Sequence, residues 1–117
     1  MLETKTVSEI INHLKSNDLS IKEVIEYYLS NIEKLNPKIN SIVSIKNKNE
    51  IIEEAEKKSN TKFCGLPIAV KDLSDVVGFP TTYGYPGTKN YNPRKNSLFV
   101  DKLLEAGITI IGKTNTA

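Results

Sequence analysis

The residues best suited to chemistry meet at one short segment. Leu66-Pro67-Ile68-Ala69-Val70 is an apolar run that ends abruptly in Lys71 and Asp72. Such a run reads as a buried strand that delivers a single ammonium to the edge of a core. Desolvation there disfavours the charged amine. A lysine so placed can accept a proton near neutral pH, which a solvated lysine cannot. Lys71 is therefore the candidate general base. The plainer reading of the same residues is a solvated lysine–aspartate pair at a strand end, the commoner situation for lysine.

The other reactive side chains offer less. Cys64, the single cysteine, stands between Phe63 and Gly65 at the start of the apolar run, the setting of a buried structural thiol. The single histidine, His13, falls in a predicted helix far from it in sequence. One cysteine and one histidine do not make a zinc site without carboxylates, so no metal or other cofactor is expected. A lone cysteine also forms no internal disulfide, which suits a reducing compartment and a cytoplasmic location.

Composition sets outer bounds. The 117 residues are 38% hydrophobic and 26% charged, the balance of one globular domain with a modest core. A net charge of +2 is too mild to argue for nucleic acid or an anionic membrane. Met1 to Lys5 lacks the apolar core of a signal peptide, and no run is long enough to span a bilayer. Neither a membrane nor a nucleic acid is expected as a partner.

The elements that must position Lys71 follow from periodicity and caps. Thr6-Val7-Ser8-Glu9 and Ser20-Ile21-Lys22-Glu23 are capping boxes, each opening an amphipathic helix. The first ends at Asn17-Asp18. The second carries Ile21, Val24, Ile25, Tyr28, Leu29, Ile32 and Leu35 on one face, and Asn36-Pro37 is expected to stop it. A short strand is predicted over 40–45 and a charged helix over 49–58. The apolar strand 66–72 comes next, then a long loop over 78–93 rich in glycine, proline, tyrosine and asparagine. Asn96 or Ser97 caps a further helix that ends at Gly107, Ile108 to Ile111 is a final strand, and Gly112 to Asn115 is its exit turn. Strands alternating with helices predict an α/β fold with a parallel or mixed sheet. The sheet reads as incomplete, with a helical lead-in over 1–40 and the start of an α/β core over 41–117.

These segments, in this order, resemble the N-terminal part of the amidase-signature family of serine hydrolases. The resemblance rests on Ser20 to Ile45, with Glu23, Leu35-Asn36-Pro37 and Asn40, and on Gly65 to Asp72. It continues through Gly78, Pro80-Thr81-Thr82 and Gly84, and through Ala106 to Asn115. It implies a mixed sheet flanked by helices, a small-molecule amide substrate and a serine, cis-serine, lysine triad with Lys71 as its base. Asp72 is then a structural hydrogen-bonding residue, and Lys113, Thr114 and Asn115 support the strand exit near the triad. The nucleophilic serine attacks an amide carbonyl, giving an acyl-enzyme that water hydrolyses. Backbone amides of a later glycine- and serine-rich loop form the oxyanion hole.

Two departures accompany the resemblance. Tyr85 stands where the family often has a small serine. The segment carrying both triad serines is expected after Ala117, and Ser74 and Ser97 do not replace it, so the chain holds one third of a triad and is expected to be inactive alone. Pairing with the missing C-terminal portion, or a homodimer of the longer protein, is the expected assembly. Thr81-Thr82-Tyr83-Gly84 and Lys113-Thr114-Asn115-Thr116 look more like general amidases, with the A subunit of a glutamine-dependent aminoacyl-tRNA amidotransferase as the alternative. Two readings of other classes stand beside these. Gly84-Tyr85-Pro86-Gly87 matches the two-glycine loop of one RNA-binding module, with Lys89, Arg94 and Lys95 near and tyrosines able to stack on bases. A gene remnant would instead yield a marginal, self-associating product with an open sheet edge.

Overall fold

The computed structural model describes residues 2–116. Both capping boxes form as the sequence predicts. Thr6 accepts from the Glu9 amide and its own amide donates to the Glu9 carboxylate, opening α1 (Val7–Lys15). Ser20 and Glu23 do the same for α2 (Ile21–Ile39). Each box satisfies two amides that a helix start leaves orphaned.

Pro37 does not stop α2. It sits in the last turn, where the missing N–H costs a single bond, and the helix runs on until Asn40 closes it in the left-handed conformation. The Asn36 side chain then turns the chain. Its Nδ2 donates to the Ile42 carbonyl at 2.9 Å, and its Oδ1 accepts from the Ile42 amide at 2.8 Å. That pair leads directly into β1 (Ile42–Ile45). Helix α3 (Lys48–Glu56) starts and ends slightly before the predicted span because Asn47 caps it. Strand β2 (Pro67–Lys71) and helix α4 (Leu98–Glu105) follow, the latter capped by Ser97.

Strand β3 (Thr109–Thr114) is longer than the sequence suggests. Gly112 and Lys113, expected in an exit turn, are strand residues because both flanks offer a pairing partner. The sheet order is β1-β3-β2, with β3 antiparallel to β1 and parallel to β2. Ile68 pairs with Ile110 and Ala69 with Gly112, so Ile111 is one extra residue on β3. A bulge of this kind shifts side-chain alternation by one step. Beyond it Lys113 is in register with Val70, and Thr114 with Lys71.

The sheet has a packed layer on each face. Leu2, Ile10, Ile21, Val24, Ile25, Ile51, Ile52, Ala55 and Ile111 form one cluster, built mainly from α1, α2 and α3. Val70, Val76, Phe79, Val100, Ile108 and Ile110 form the other, under α4. On α2, Leu35 departs from the predicted buried face and is exposed. No helix among the described residues is long and apolar enough to cross a membrane.

Candidate active site

β2 and β3 run side by side and end together, with Lys71 beside Thr114. The C-terminal ends of parallel strands are the usual place for a site in an open α/β sheet. The Asp72 amide continues the ladder by donating to the Thr114 carbonyl at 2.9 Å. Asn115 fixes the other strand end: its amide donates to the Ser41 carbonyl at 2.8 Å and its Nδ2 to the Asn40 carbonyl at 3.1 Å. These bonds hold Thr114 and Asn115 at the strand ends.

Lys71 itself is exposed. That corrects the expectation of an ammonium pressed into the core. β2 lies at the edge of the sheet, and alternation turns Val70 inward and Lys71 outward. The desolvation expected at Lys71 belongs instead to Lys113, whose side chain is 0% exposed. Both lysines follow an apolar strand, Ile68-Ala69-Val70 in one case and Ile110-Ile111-Gly112 in the other. Sequence reasoning weighed burial for only one of them. The signal it missed was Asp72, a ready counter-ion for a second buried lysine.

Asp72 is the organising residue. It is 1% exposed, and its Oδ1 accepts from the Lys113 ammonium at 3.1 Å and from the Thr82 amide at 3.1 Å. Its Oδ2 accepts from the Thr82 hydroxyl. Burial pushes its carboxyl up. The Thr82 hydroxyl and amide and the Lys113 ammonium together outweigh that, and the group lies below its ordinary value of 3.8. Lys113 also donates to the Pro80 carbonyl at 3.4 Å. Thr81 is buried and its hydroxyl donates to Asp75 at 2.8 Å, while its amide donates to the Tyr91 carbonyl. Thr82 and Thr81 were matched in sequence only as part of a block; their bonds now show what the block does. Thr82 clamps the long loop to the residue that follows Lys71, and Thr81 ties the loop to Asp75 and Tyr91.

The remaining candidates have structural places. Ser97 caps α4 by accepting from the Val100 amide. The Ser74 amide donates to the Lys71 carbonyl in the turn after β2. Cys64 is buried, with its thiol directed to the Thr61 carbonyl, and His13 pairs with Asp18 at the surface. Among the described residues no three of His, Cys, Asp and Glu gather as metal ligands would. Gly84 to Gly87 leads into a 3-10 turn at Pro86–Thr88 and joins no two α-helices. On the face of β2 away from Val70, Pro67 and Ala69 line an apolar recess of about 270 Å³ together with Tyr28 and Ile32.

Comparison with known proteins bears on the family and the fold. The family model described as Amidase matches residues 23–117. The A subunit of the glutamyl-tRNA(Gln) amidotransferase of Thermoanaerobacter pseudethanolicus is 32% identical over 97% of this chain and 25% of its own length. An acylamidase of Rhodococcus erythropolis is 31% identical over 95% of this chain, again 25% of its own length. The solved structure of a bacterial aryl acylamidase of the amidase-signature family superposes with a TM-score of 0.83 at 25% identity, covering 96% of this chain and 25% of that one. The 6-aminohexanoate cyclic dimer hydrolase gives 0.86 at 25% identity, over 96% of this chain and 23% of that one. The chain thus spans about a quarter of the length of the relatives it matches. With the family model covering most of its residues and its fold shared with solved members, this chain belongs to the amidase-signature family.

Proposed function

We propose that this chain supplies the lysine of a serine, cis-serine, lysine amide hydrolase, with Lys71 as the base. The observation that carries this reading is the pairing of a rigid strand end with an open amine. Asp72 is locked by Thr82 and Lys113, while the lysine before it stays accessible from solvent. The amine takes the proton of a bridging serine, which takes that of the nucleophilic serine. The nucleophile's oxygen bonds to the amide carbon, and collapse of the adduct expels the amine with a proton. Water then cleaves the acyl-enzyme and frees the acid. Both serines and the oxyanion donors come from polypeptide outside these residues, in the same cytoplasmic protein.

The test is Lys71→Ala in a protein that contains the two serines. Loss of general-base assistance is expected to lower kcat on a small primary amide by about a hundredfold or more. Activity within tenfold of the parent removes Lys71 from the mechanism. A second reading, the A subunit of a glutamine-dependent tRNA amidotransferase, is favoured by the relatives that bear that name. Ammonia release from glutamine that depends on misacylated tRNA and ATP would select it over a general amidase.

A further inference from the structure

Every polar atom of Asp72 has a partner. Its amide donates to the Thr114 carbonyl at 2.9 Å, and its carbonyl accepts from the Tyr83 amide at 3.1 Å. Oδ1 accepts from the Lys113 ammonium and from the Thr82 amide, each at 3.1 Å, and Oδ2 accepts from the Thr82 hydroxyl. The Lys71 carbonyl accepts from the Ser74 amide at 3.1 Å. Both polar atoms of the peptide that joins Lys71 to Asp72 are thus bonded, and so is the side chain beyond it. Val70 and Asp72 are buried while Lys71, between them, is not. A twist that redirected Lys71 would pull a buried carboxylate off a buried ammonium.

Two separate parts of the chain converge on that carboxylate. Lys113 comes from β3, fully buried and in register with Val70. Thr82 comes from the long loop, and its hydroxyl is itself oriented, since the Gly84 amide donates to it at 3.3 Å and its own proton goes to Asp72. The Thr82 carbonyl accepts from the Tyr85 amide at 2.9 Å and from the Thr88 hydroxyl, which fixes the residue in the loop. Stability alone does not call for this arrangement. Apolar side chains of similar volume often stabilise a core as well as a buried ion pair does. What they do not supply is a directional hold on one residue.

We propose that Lys113 and Thr82 are positioning residues of the hydrolysis, acting on Lys71 through Asp72. This rests on the reading of Lys71 as the base. Neither residue is assigned a contact with substrate. A base must lie within hydrogen-bond reach of the proton it takes, and a misplacement of about 1 Å costs on the order of a hundredfold in rate.

The test uses the protein containing both serines, a small primary amide as substrate, and rates taken per folded molecule by circular dichroism. Thr82→Val and Lys113→Met are expected to lower kcat by about tenfold to a hundredfold while KM stays within about threefold. Thr82→Ser, which restores the hydroxyl, is expected to recover most of that loss. In the Lys71→Ala protein the same two substitutions are expected to leave the residual kcat unchanged, because the group they act through is gone. Ser20→Ala, a destabilising change in α2, is expected to leave kcat per folded molecule at the parent value. A kcat within about threefold of the parent in Thr82→Val and Lys113→Met overturns the positioning role. So does a loss that Thr82→Ser fails to recover, or a further loss on top of Lys71→Ala. If Lys113→Met does not fold, Thr82→Val decides, since it keeps the ion pair. If Lys71→Ala stays active, the hydrolase reading fails; if Lys71→Ala is inactive while Thr82→Val and Lys113→Met turn over normally, only the positioning role fails.

Discussion

Replacing Asp72 by alanine removes the carboxylate that faces a fully buried ammonium. Lys113 is 0% exposed, and its other acceptor is the Pro80 carbonyl at 3.4 Å, long for a charge-assisted bond. Breaking one side of a buried pair costs about 3–5 kcal/mol, because the stranded charge stays out of water. The opposite truncation is milder. Lys113→Met leaves Asp72 with the Thr82 amide and hydroxyl, and about 1–3 kcal/mol is expected. The double variant removes both charges and is expected to lose less than the sum of the singles, since apolar replacement of a buried pair is often close to neutral. Urea unfolding followed by circular dichroism, run as a double-mutant cycle, measures all three. Asp72→Asn gives a variant that stays folded if the alanine form does not. The pH dependence has a definite sign. The folded-state Asp72 carboxyl is lowered from 3.8, so its contribution is present above that value and is lost as pH falls through the folded one. Asp72→Asn is expected to remove this share of the acid sensitivity. An Asp72→Ala protein within about 1 kcal/mol of the parent, or a coupling below about 0.5 kcal/mol, would refute the clamp.

Other expectations are simpler. Gly65→Ala places a Cβ 2.6 Å from the Ala55 carbonyl oxygen at φ +85°, and a loss of more than about 1 kcal/mol is expected in the same unfolding assay. Asn36→Ala removes both bonds to Ile42; about 1–3 kcal/mol is expected, with faster amide exchange in β1. Slow exchange at Ile42 in that variant would show that the turn does not depend on Asn36. Ser20→Ala deletes the cap of α2 and is expected to cost about 1 kcal/mol; an unchanged urea midpoint would count against the capping role.

Much of the fold was legible because local signals agreed with the tertiary result. Thr6, Ser20 and Ser97 announce helix starts through side-chain chemistry that needs no distant partner. Pro37 misled because the helix bears its cost, one lost amide bond and a crowded preceding turn, and runs on to Ile39. Gly112 and Lys113 misled for a different reason. Their types suit a turn, but β1 and β2 both offer ladder partners, and pairing on two sides overrides propensity. The block around Lys71 and Asp72 was visible as a motif, and Asp72 took the structural role expected of it. What could not be read was which lysine would be buried. That depends on a register shift at Ile111, which leaves no local mark in the residue types.

The extra residue at Ile111 separates two tasks on one strand. Upstream of it Ile110 packs with Val100 and Phe79. Downstream, Lys113 shares a face with Val70 and reaches Asp72. Ile110 and Lys113 stand at an odd spacing, which simple alternation would put on opposite faces; the extra residue at Ile111 absorbs one step, so both share the face of Ile68 and Val70. The bulge is thus the device that lets one strand carry a hydrophobic anchor and an ion pair on the same side. A residue inserted between Gly112 and Lys113 would move Lys113 out of register with Val70 and away from Asp72, whereas loss of Ile111 itself would leave the same pairs in a regular ladder.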